Sequence, residues 1–370
     1  MTPDKLILLS QQAQFDLACA CGDTGRRRGP DDRWIYPAVM DGRTVYMLKV
    51  LMDNSCSGDC AYCAQRAGRD TARDRFSPQE LAVLFDQLVR ARKVEALFLS
   101  SGLGGSPVRS MDRMLAAVEI IRRRYHFRGF VHLKILPGAQ KEQVLQAARL
   151  AQRISLNLEA PADHHLKSLS AGKDFRSQME LMGWIREAVE REDTLARAHT
   201  TQFVVGAAEE KDRELVELVG RLYREQKLAR AYFSAFQPVP NTPLENRPPA
   251  PLMREHRLYQ VDFLLRKYHF RVEEIPFDRE GQLSLTEDPK TLWASAHPDF
   301  FPLEVNRASA EELLRVPGLG PVRVRRIIQA RRQGVIWQSE QLRRLGVNLK
   351  ISAPFLLLRG RPAGGQLRLF

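Results

Sequence analysis

Six short runs rich in β-branched or aromatic residues, at 45–50, 96–100, 130–135, 154–158, 202–205 and 231–236, alternate with stretches of helical periodicity. Most of the runs are nearly continuous in apolar residues, the pattern of parallel strands covered on both faces. A helix is expected after Ser77, where Ser-Pro-Gln-Glu offers a capping box with Ser77 as N-cap, Pro78 at the first helical position and Glu80 reaching back. Further helices are expected over 111–125, 141–152, 177–190, 213–225 and 253–268. Strands alternating with helices build βαβ units with right-handed crossovers. Six units are too few to close an eight-stranded barrel, so the expected fold class is α/β, a partial, open (β/α)6 barrel.

Beyond it, Pro276, Pro289, Pro298 and Pro302 interrupt any long helix between 270 and 302, and a compact basic pattern begins at Val305. The expected organisation is an N-terminal extension over 1–43, the barrel over 44–250, a closing helix and connector over 251–304, a small all-α domain over 305–358 and a tail over 359–370. Of the chain's 57 Lys and Arg, 13 fall in 301–370, against only 4 of its 44 Asp and Glu. That asymmetry favours a polyanionic partner. No apolar run approaches the roughly 18 residues of a membrane span, and the first residues lack a signal-peptide pattern. A cytoplasmic protein without a membrane partner is expected. Five cysteines in 370 residues do not form a disulfide scaffold.

Three of those cysteines carry the strongest chemical signal. NSCSGDCAYC places Cys56, Cys60 and Cys63 in a C-x3-C-x2-C loop directly after the first expected strand. Thiolates so spaced can hold three corners of a cubane iron–sulfur cluster and leave one iron open. A structural zinc would need a fourth ligand, and the nearest histidine is His126. The Gly-rich run 102–105 lacks the Lys-Ser/Thr of a phosphate loop. His164 and His165, being adjacent, read as loop residues. Cys19 and Cys21 precede the barrel, and Cys21 is the candidate for a catalytic hydrogen donor or thiyl carrier, against an ordinary reduced cysteine.

With Tyr62 immediately before the third cysteine, the chain over 45–245 resembles the radical S-adenosylmethionine superfamily. The resemblance implies a TIM-like partial barrel, a [4Fe–4S] cluster on the three cysteines, and S-adenosylmethionine bound at the open iron. One-electron reduction then cleaves that cofactor to a 5′-deoxyadenosyl radical. It also implies cofactor-binding roles for Tyr62, for Ser101 and Gly102 after the second strand, and for Asn157 and Glu159 toward the ribose. Arg176 would face the methionine carboxylate, with Lys173 competing. Gly206 would lie near the adenine, in a turn whose acid is Glu209. An electron donor such as flavodoxin or ferredoxin is implied as partner.

The basic segment VNRASAEELLRVPGLGPVRVRRIIQARR reads as two helices joined by Gly318-Leu319-Gly320, and a degenerate second copy runs from Ser339 through Gly346 and Asn348 to Leu358. It resembles the helix–hairpin–helix module, which implies backbone contacts to DNA through Gly318, Gly320, Arg323, Arg325 and Arg326. A protein-interaction hairpin is the alternative. FRGFVHLKILPGA, ISLNLEAP and DPKTLWASAHPDFFPLEVNRAS resemble radical S-adenosylmethionine proteins fused to such modules and described as DNA modification or repair proteins. The expected activity is therefore radical chemistry on a base or sugar of DNA. The alternatives are the same chemistry on RNA or a small molecule, or a non-catalytic iron–sulfur DNA-binding protein.

Overall fold

The computed structural model describes residues 3–13, 34–40 and 42–364. Its contacts divide the chain into two compact units, Met1–Glu210 with Arg221–Pro251, and Lys211–Gly220 with Leu252–Phe370. The first unit begins with α1 (Pro3–Gln12), β1 (Ile35–Met40) and β2 (Arg43–Leu51), followed by α2 (Pro78–Arg90), β3 (Ala96–Ser100), α3 (Pro107–Arg123) and β4 (Phe130–Lys134). It continues with α4 (Lys141–Leu150), β5 (Arg153–Ser155), α5 (Asp163–Leu169), α6 (Phe175–Glu190), β6 (Ala198–Val205), α7 (Asp212–Glu225), of which the second unit takes the opening turns, and β7 (Arg230–Ala235).

Strands β2 to β7 are parallel and lie in sequence order, with β1 added antiparallel at the β2 edge. The sheet is α/β and open: no described strand joins β7 back to β1. It is curled, because residues at the C-terminal ends of β2, β3, β4, β6 and β7 all line one cavity. Ser77 caps α2 with the full reciprocal box, its side chain accepting from the Glu80 N–H while Glu80 accepts from the Ser77 N–H. Strand β5 stops at Ser155 rather than reaching 158. Beyond that point the chain leaves β4 but stays tied to β6, through Leu156 N–H to Thr200 O and Glu159 N–H to Gln202 O. Strand β6 starts four residues before the apolar run, because buried His199, Thr200 and Thr201 extend it with polar side chains.

Alternation along the strands puts a polar stack inside the curl. Lys49 lies over the rings of Tyr36 and Phe98 at 4.8 and 5.8 Å, Phe98 meets His132 edge-on at 4.7 Å, and His132 Nε2 is 2.8 Å from Ser155 Oγ. His132 is 1% exposed. Burial, together with the cationic Arg153, Lys134 and Lys49, holds its imidazole well below the ordinary value. A base neutral when folded but protonated when unfolded contributes stability above its unfolded pKa, near 6.5, and loses it as pH falls. The denaturant midpoint of this unit is therefore expected to drop between pH 7 and pH 5, with His132 contributing up to about 1.4 kcal/mol per pH unit. His132→Gln should flatten the dependence. An unchanged slope in the variant would remove His132 from that role.

The second unit holds α8 (Leu252–Lys267), α9 (Pro289–Ser295), β8 (Leu303–Glu304), α10 (Ala310–Arg315), α11 (Pro321–Gln333), α12 (Ser339–Arg344), α13 (Leu349–Ser352), β9 (Leu356–Leu358) and β10 (Arg361–Pro362). Its core gathers Leu313, Val316, Leu319, Val324, Ile327 and Leu356. The all-α expectation is corrected: β8, β9 and β10 form a small sheet in the order β10-β9-β8. The run Leu356–Leu358 buries its first and last residues in the core as a strand, and so does not extend the last helix.

Candidate functional site

The cavity at the C-terminal ends of the strands has a volume of about 930 Å³, at the upper end of the range for ligand pockets. Cys56, Cys60 and Cys63 line it and are all partly exposed free thiols. Their loop leaves β2 through Asp53, which is 1% exposed, accepts from the Ser55 N–H at 2.7 Å and faces Arg113 at 3.3 Å. Arg73 then gathers carbonyls from along the loop, donating to Asn54 O, Gln65 O, Arg66 O and Arg69 O. The Asn54 amide donates to Gln12 Oε1 and Ala72 O at 2.6 and 2.8 Å, so helix α1 also braces the loop.

Backbone N–H groups point at the sulfurs. Gly58 and Leu103 donate to Cys56 Sγ at 3.3 and 3.5 Å, and Gln65 donates to Cys63 Sγ at 3.4 Å. A Cβ on Gly58 would sit 3.2 Å from Cys56 Sγ, and one on Gly102 would meet Ser55 O at 2.5 Å. Both glycines keep the loop close to β3 and its sulfur clear. Three soft donors on one wall, with N–H groups to stabilise negative sulfur, suit a [4Fe–4S] cluster with one non-protein position. Burial, and then the neighbouring Cys60, push the Cys63 thiol up to about 12, so ligation by this sulfur releases a proton.

Glu159 also lines the cavity. It has φ +66, a left-handed backbone that non-glycine residues adopt at a cost of about 1–3 kcal/mol. Two hydrogen bonds to β6 impose it, Glu159 N–H to Gln202 O and Val204 N–H to Glu159 O. Its Oε1 is 3.2 Å from Lys173 Nζ, with both side chains largely buried. Burial alone would lower the Lys173 ammonium, but the Glu159 carboxylate and its hydrogen bond, with Cys60 and Cys63, together outweigh it and hold it above its ordinary value. Tyr62 is pushed well above its ordinary value by burial and then by Glu159, to which its hydroxyl is hydrogen-bonded. Glu159, Lys173 and Tyr62 thus form one buried group beside the cysteines.

The remaining expected residues divide. Asn157, Ser101 and Gly102 line the cavity. Ser101 Oγ donates to its neighbour's carbonyl, Gly102 O, at 2.8 Å. Arg176 is exposed and is not among the lining residues, whereas Lys173 is. Gly206 is also absent from the lining: its N–H donates to Glu210 Oε1 at 2.6 Å and its carbonyl accepts from Arg247. The buried acid of that turn is Glu210, and Glu209 is 82% exposed at its side chain. Cys21 and Cys19 lie outside the described residues. Sequence reasoning missed Arg73, Asp53, Lys134 and Gln178, the last two of which line the cavity. A lysine ending an apolar strand run was the one available signal, at Lys134.

In the second unit, α10 and α11 are joined through Gly318-Leu319-Gly320. Gly318 has φ +79, and a Cβ there would lie 2.7 Å from Ser352 Oγ, which itself donates to Pro317 O at 2.8 Å. Gly320 caps α11, and a Cβ there would meet the Tyr268 hydroxyl at 2.9 Å. Lys290, buried, donates to Leu319 O at 2.6 Å, and burial brings its ammonium down to about 7. In the second copy, Gly346 has φ +88 and Asn348 caps α13 by accepting from the Lys350 N–H. Arg323 donates to both Gly318 O and Gly346 O, at 3.1 and 2.7 Å, so it ties the two turns together. Arg325 and Arg326 are exposed on α11, Arg326 reaching Leu345 O at 3.4 Å.

A tRNA-2-methylthio-N(6)-dimethylallyladenosine synthase of Symbiobacterium thermophilum is 25% identical over 261 residues, 65% of this chain and 53% of that protein. The chain thus spans about half the length of that curated relative. Among solved structures, methylornithine synthase is similar over 61% of this chain and 63% of its own, at 14% identity and a TM-score of 0.49. A radical SAM methyltransferase from Sphaerobacter thermophilus is similar over 61% and 64%, at 18% identity and a TM-score of 0.45. Residues 50–222 match the model of the Radical SAM superfamily, a family whose enzymes use a [4Fe–4S] cluster and S-adenosylmethionine.

Proposed function

We propose that this chain is a radical SAM enzyme acting on a nucleic acid, DNA first, which the basic carboxyl-terminal unit grips through a helix–hairpin–helix module. The observation that carries the catalytic half is the cavity shared by the three cysteines, Asn157 and the Glu159–Lys173 pair. When bound, the cluster and S-adenosylmethionine supply a 5′-deoxyadenosyl radical for hydrogen abstraction, with the electron coming from an external donor such as flavodoxin or ferredoxin. The chain's own residues hold and shield that chemistry. Asp53, Arg73 and Asn54 hold the loop, Glu159 and Lys173 present paired charges to the cofactor's polar groups, and the curled sheet limits access of water.

For the nucleic-acid half, support comes from two glycine turns with matching left-handed backbones, tied by Arg323 and flanked by Arg325 and Arg326. Backbone N–H groups at such turns, with nearby guanidiniums, suit phosphates and carry little sequence information. A base in duplex DNA would have to leave the stack to enter the cavity. A second reading, RNA in place of DNA, is favoured by the relative that modifies tRNA. No described helix is long and apolar enough to cross a membrane.

Anaerobic turnover tests both readings. Protein reconstituted with iron and sulfide, then reduced, is expected to release 5′-deoxyadenosine faster in the presence of single-stranded or duplex DNA than without it. A larger stimulation by tRNA would select the RNA reading. Release indifferent to every nucleic acid would refute both and point to a small-molecule substrate.

A further inference from the structure

Lys290, the second residue of α9, is 7% exposed. Its ammonium lies 4.6 Å from the centroid of the Tyr268 ring and donates to Leu319 O at 2.6 Å. Asp288, the acid that acts on it, is spent on capping α9, accepting from the Lys290 and Thr291 N–H groups and from the Thr291 hydroxyl. Burying an ammonium costs free energy that an apolar side chain of the same length would not. The carbonyl it meets is the middle one of the Gly318-Leu319-Gly320 turn, so the cost is spent at the hairpin.

Carbonyl and N–H point to opposite sides of a trans peptide. With Leu319 O turned inward to Lys290, the N–H of the same peptide, that of Gly320, is turned outward. Gly320 is partly exposed, and among the described residues nothing accepts from this N–H. The groups beside it are committed, the Leu319 N–H to Val316 O and the Gly320 carbonyl to the Val324 N–H. Gly320 is also the N-cap of α11, a helix of 13 residues, whose dipole favours an anion at this end. An ammonium on the carbonyl polarises the peptide and strengthens its N–H as a donor, because linked hydrogen bonds reinforce one another. Tyr268 seats the turn on the lysine, its hydroxyl lying 2.9 Å from where a Gly320 Cβ would be.

We propose that Lys290 is a positioning residue for the nucleic-acid contact: from behind the turn its ammonium fixes and polarises the Leu319–Gly320 peptide so that the Gly320 N–H takes a backbone phosphate. This rests on the reading of the second unit as a nucleic-acid module and adds a regulation to it, because the ammonium can lose its proton. Burial brings it down to about 7, with Arg315 of α10 lowering it further and Asp288 opposing. Arg315 is paired with Glu274 at 2.9 Å, and Tyr268 also feels Arg323 of α11. His269, whose carbonyl accepts from Arg315, and His297, stacked on Trp293, border the same region. An unfolded lysine keeps its proton up to about pH 10.4, so above pH 7 the unfolded chain binds more protons and stability rises with pH. Phosphate affinity falls over the same window, as the ammonium gives up its charge. A lysine that served folding alone would move the two together.

The test titrates full-length protein into a rhodamine-labelled DNA duplex from pH 6 to pH 8.5, read by anisotropy at fixed ionic strength, since phosphate contacts are salt-dependent. Denaturant midpoints are measured on the same samples. The wild-type Kd is expected to rise about threefold or more, the worth of one strengthened hydrogen bond, while the midpoint also rises. Lys290→Met keeps the stem and removes the ammonium; it should bind about threefold or more weaker than wild type at pH 6 and show little further change with pH. Wild-type affinity that ignores pH, or that falls together with stability, overturns the proposal and leaves the nucleic-acid reading intact. A variant that keeps the wild-type profile also overturns it, since both histidines remain in that variant and would then carry the titration. Should the variant fail to fold, the opposed wild-type trends decide alone. Wild type that binds neither duplex, single strand nor tRNA at pH 6 overturns the nucleic-acid reading and this proposal with it.

Discussion

Alanine in place of Cys56, Cys60 or Cys63 is expected to give a folded protein that retains little iron after reconstitution and releases no 5′-deoxyadenosine above background. All three thiols line the cavity, and on the proposed reading each is one of three protein ligands to a cluster with one non-protein position, which leaves no ligand to spare. Folding should survive, because the loop is braced independently of its sulfurs by Arg73, Asn54 and Asp53. The braces supply the comparison. Arg73→Met leaves all three thiols but strips the carbonyls of residues 54, 65, 66 and 69 of their common donor. A loss of about 10–100-fold in cluster retention or turnover, the range for outer contacts of a metal site, is expected there. The cysteine variants should exceed it. Iron and sulfide content per chain, read beside the melting curve, checks both. A cysteine variant that keeps a full complement of iron would exclude that residue as a ligand.

The architecture was largely legible because burial on both faces leaves a plain mark. The runs at 96–100 and 130–135 are mostly apolar, with only Ser100, His132 and Lys134 polar, and they are β3 and β4 to within a residue. Legibility failed where polar residues are buried by tertiary structure. His199, Thr200 and Thr201 hide the first half of β6, although each is 2% exposed or less. β1 was missed within what reads as an extension: Pro37 interrupts the run, and only pairing with β2 makes it a strand.

At the site, short-range chemistry was visible and long-range chemistry was not. Three cysteines within eight positions announce themselves. Arg73 does not, because its function is to reach four carbonyls that become neighbours only after the loop closes. The resemblance offers Arg176 as the cation for the methionine carboxylate, with Lys173 competing three residues earlier. Lys173 precedes α6 and Arg176 lies in its first turn, and sequence order alone could not say which faces inward. The same limit applies to Arg323: its place after a glycine turn suggests a phosphate contact, while the fold gives it two carbonyls on two turns. The short strands β8 and β9 draw their pairing from residues some 50 positions apart, a distance that no local pattern records.

The placement of Lys173 leads to the second large effect. Lys173→Met is expected to destabilise the barrel unit by about 3–5 kcal/mol, because it leaves Glu159 charged, buried and alone. The pair is shielded, with 14% and 8% of its side chains exposed, so solvent screening reduces this little. Glu159→Gln strands the ammonium instead and should cost a similar amount. The double variant should recover much of the loss, since it removes both charges together, and the double-mutant cycle then yields the coupling. The pH dependence has a definite sign. Lys173 is raised above its unfolded value, so its contribution is complete below about pH 10.4 and is lost only as pH rises through the higher folded value. The destabilisation should therefore be the same at pH 6 and pH 9. In function, Lys173→Met should weaken S-adenosylmethionine binding more than tenfold, whereas Arg176→Met, at an exposed side chain outside the cavity lining, should change it less than about twofold. The reverse order would move the carboxylate contact back to Arg176 and require α6 to turn on binding. Equal, small effects would mean that the Glu159–Lys173 pair shapes the cavity without touching the cofactor.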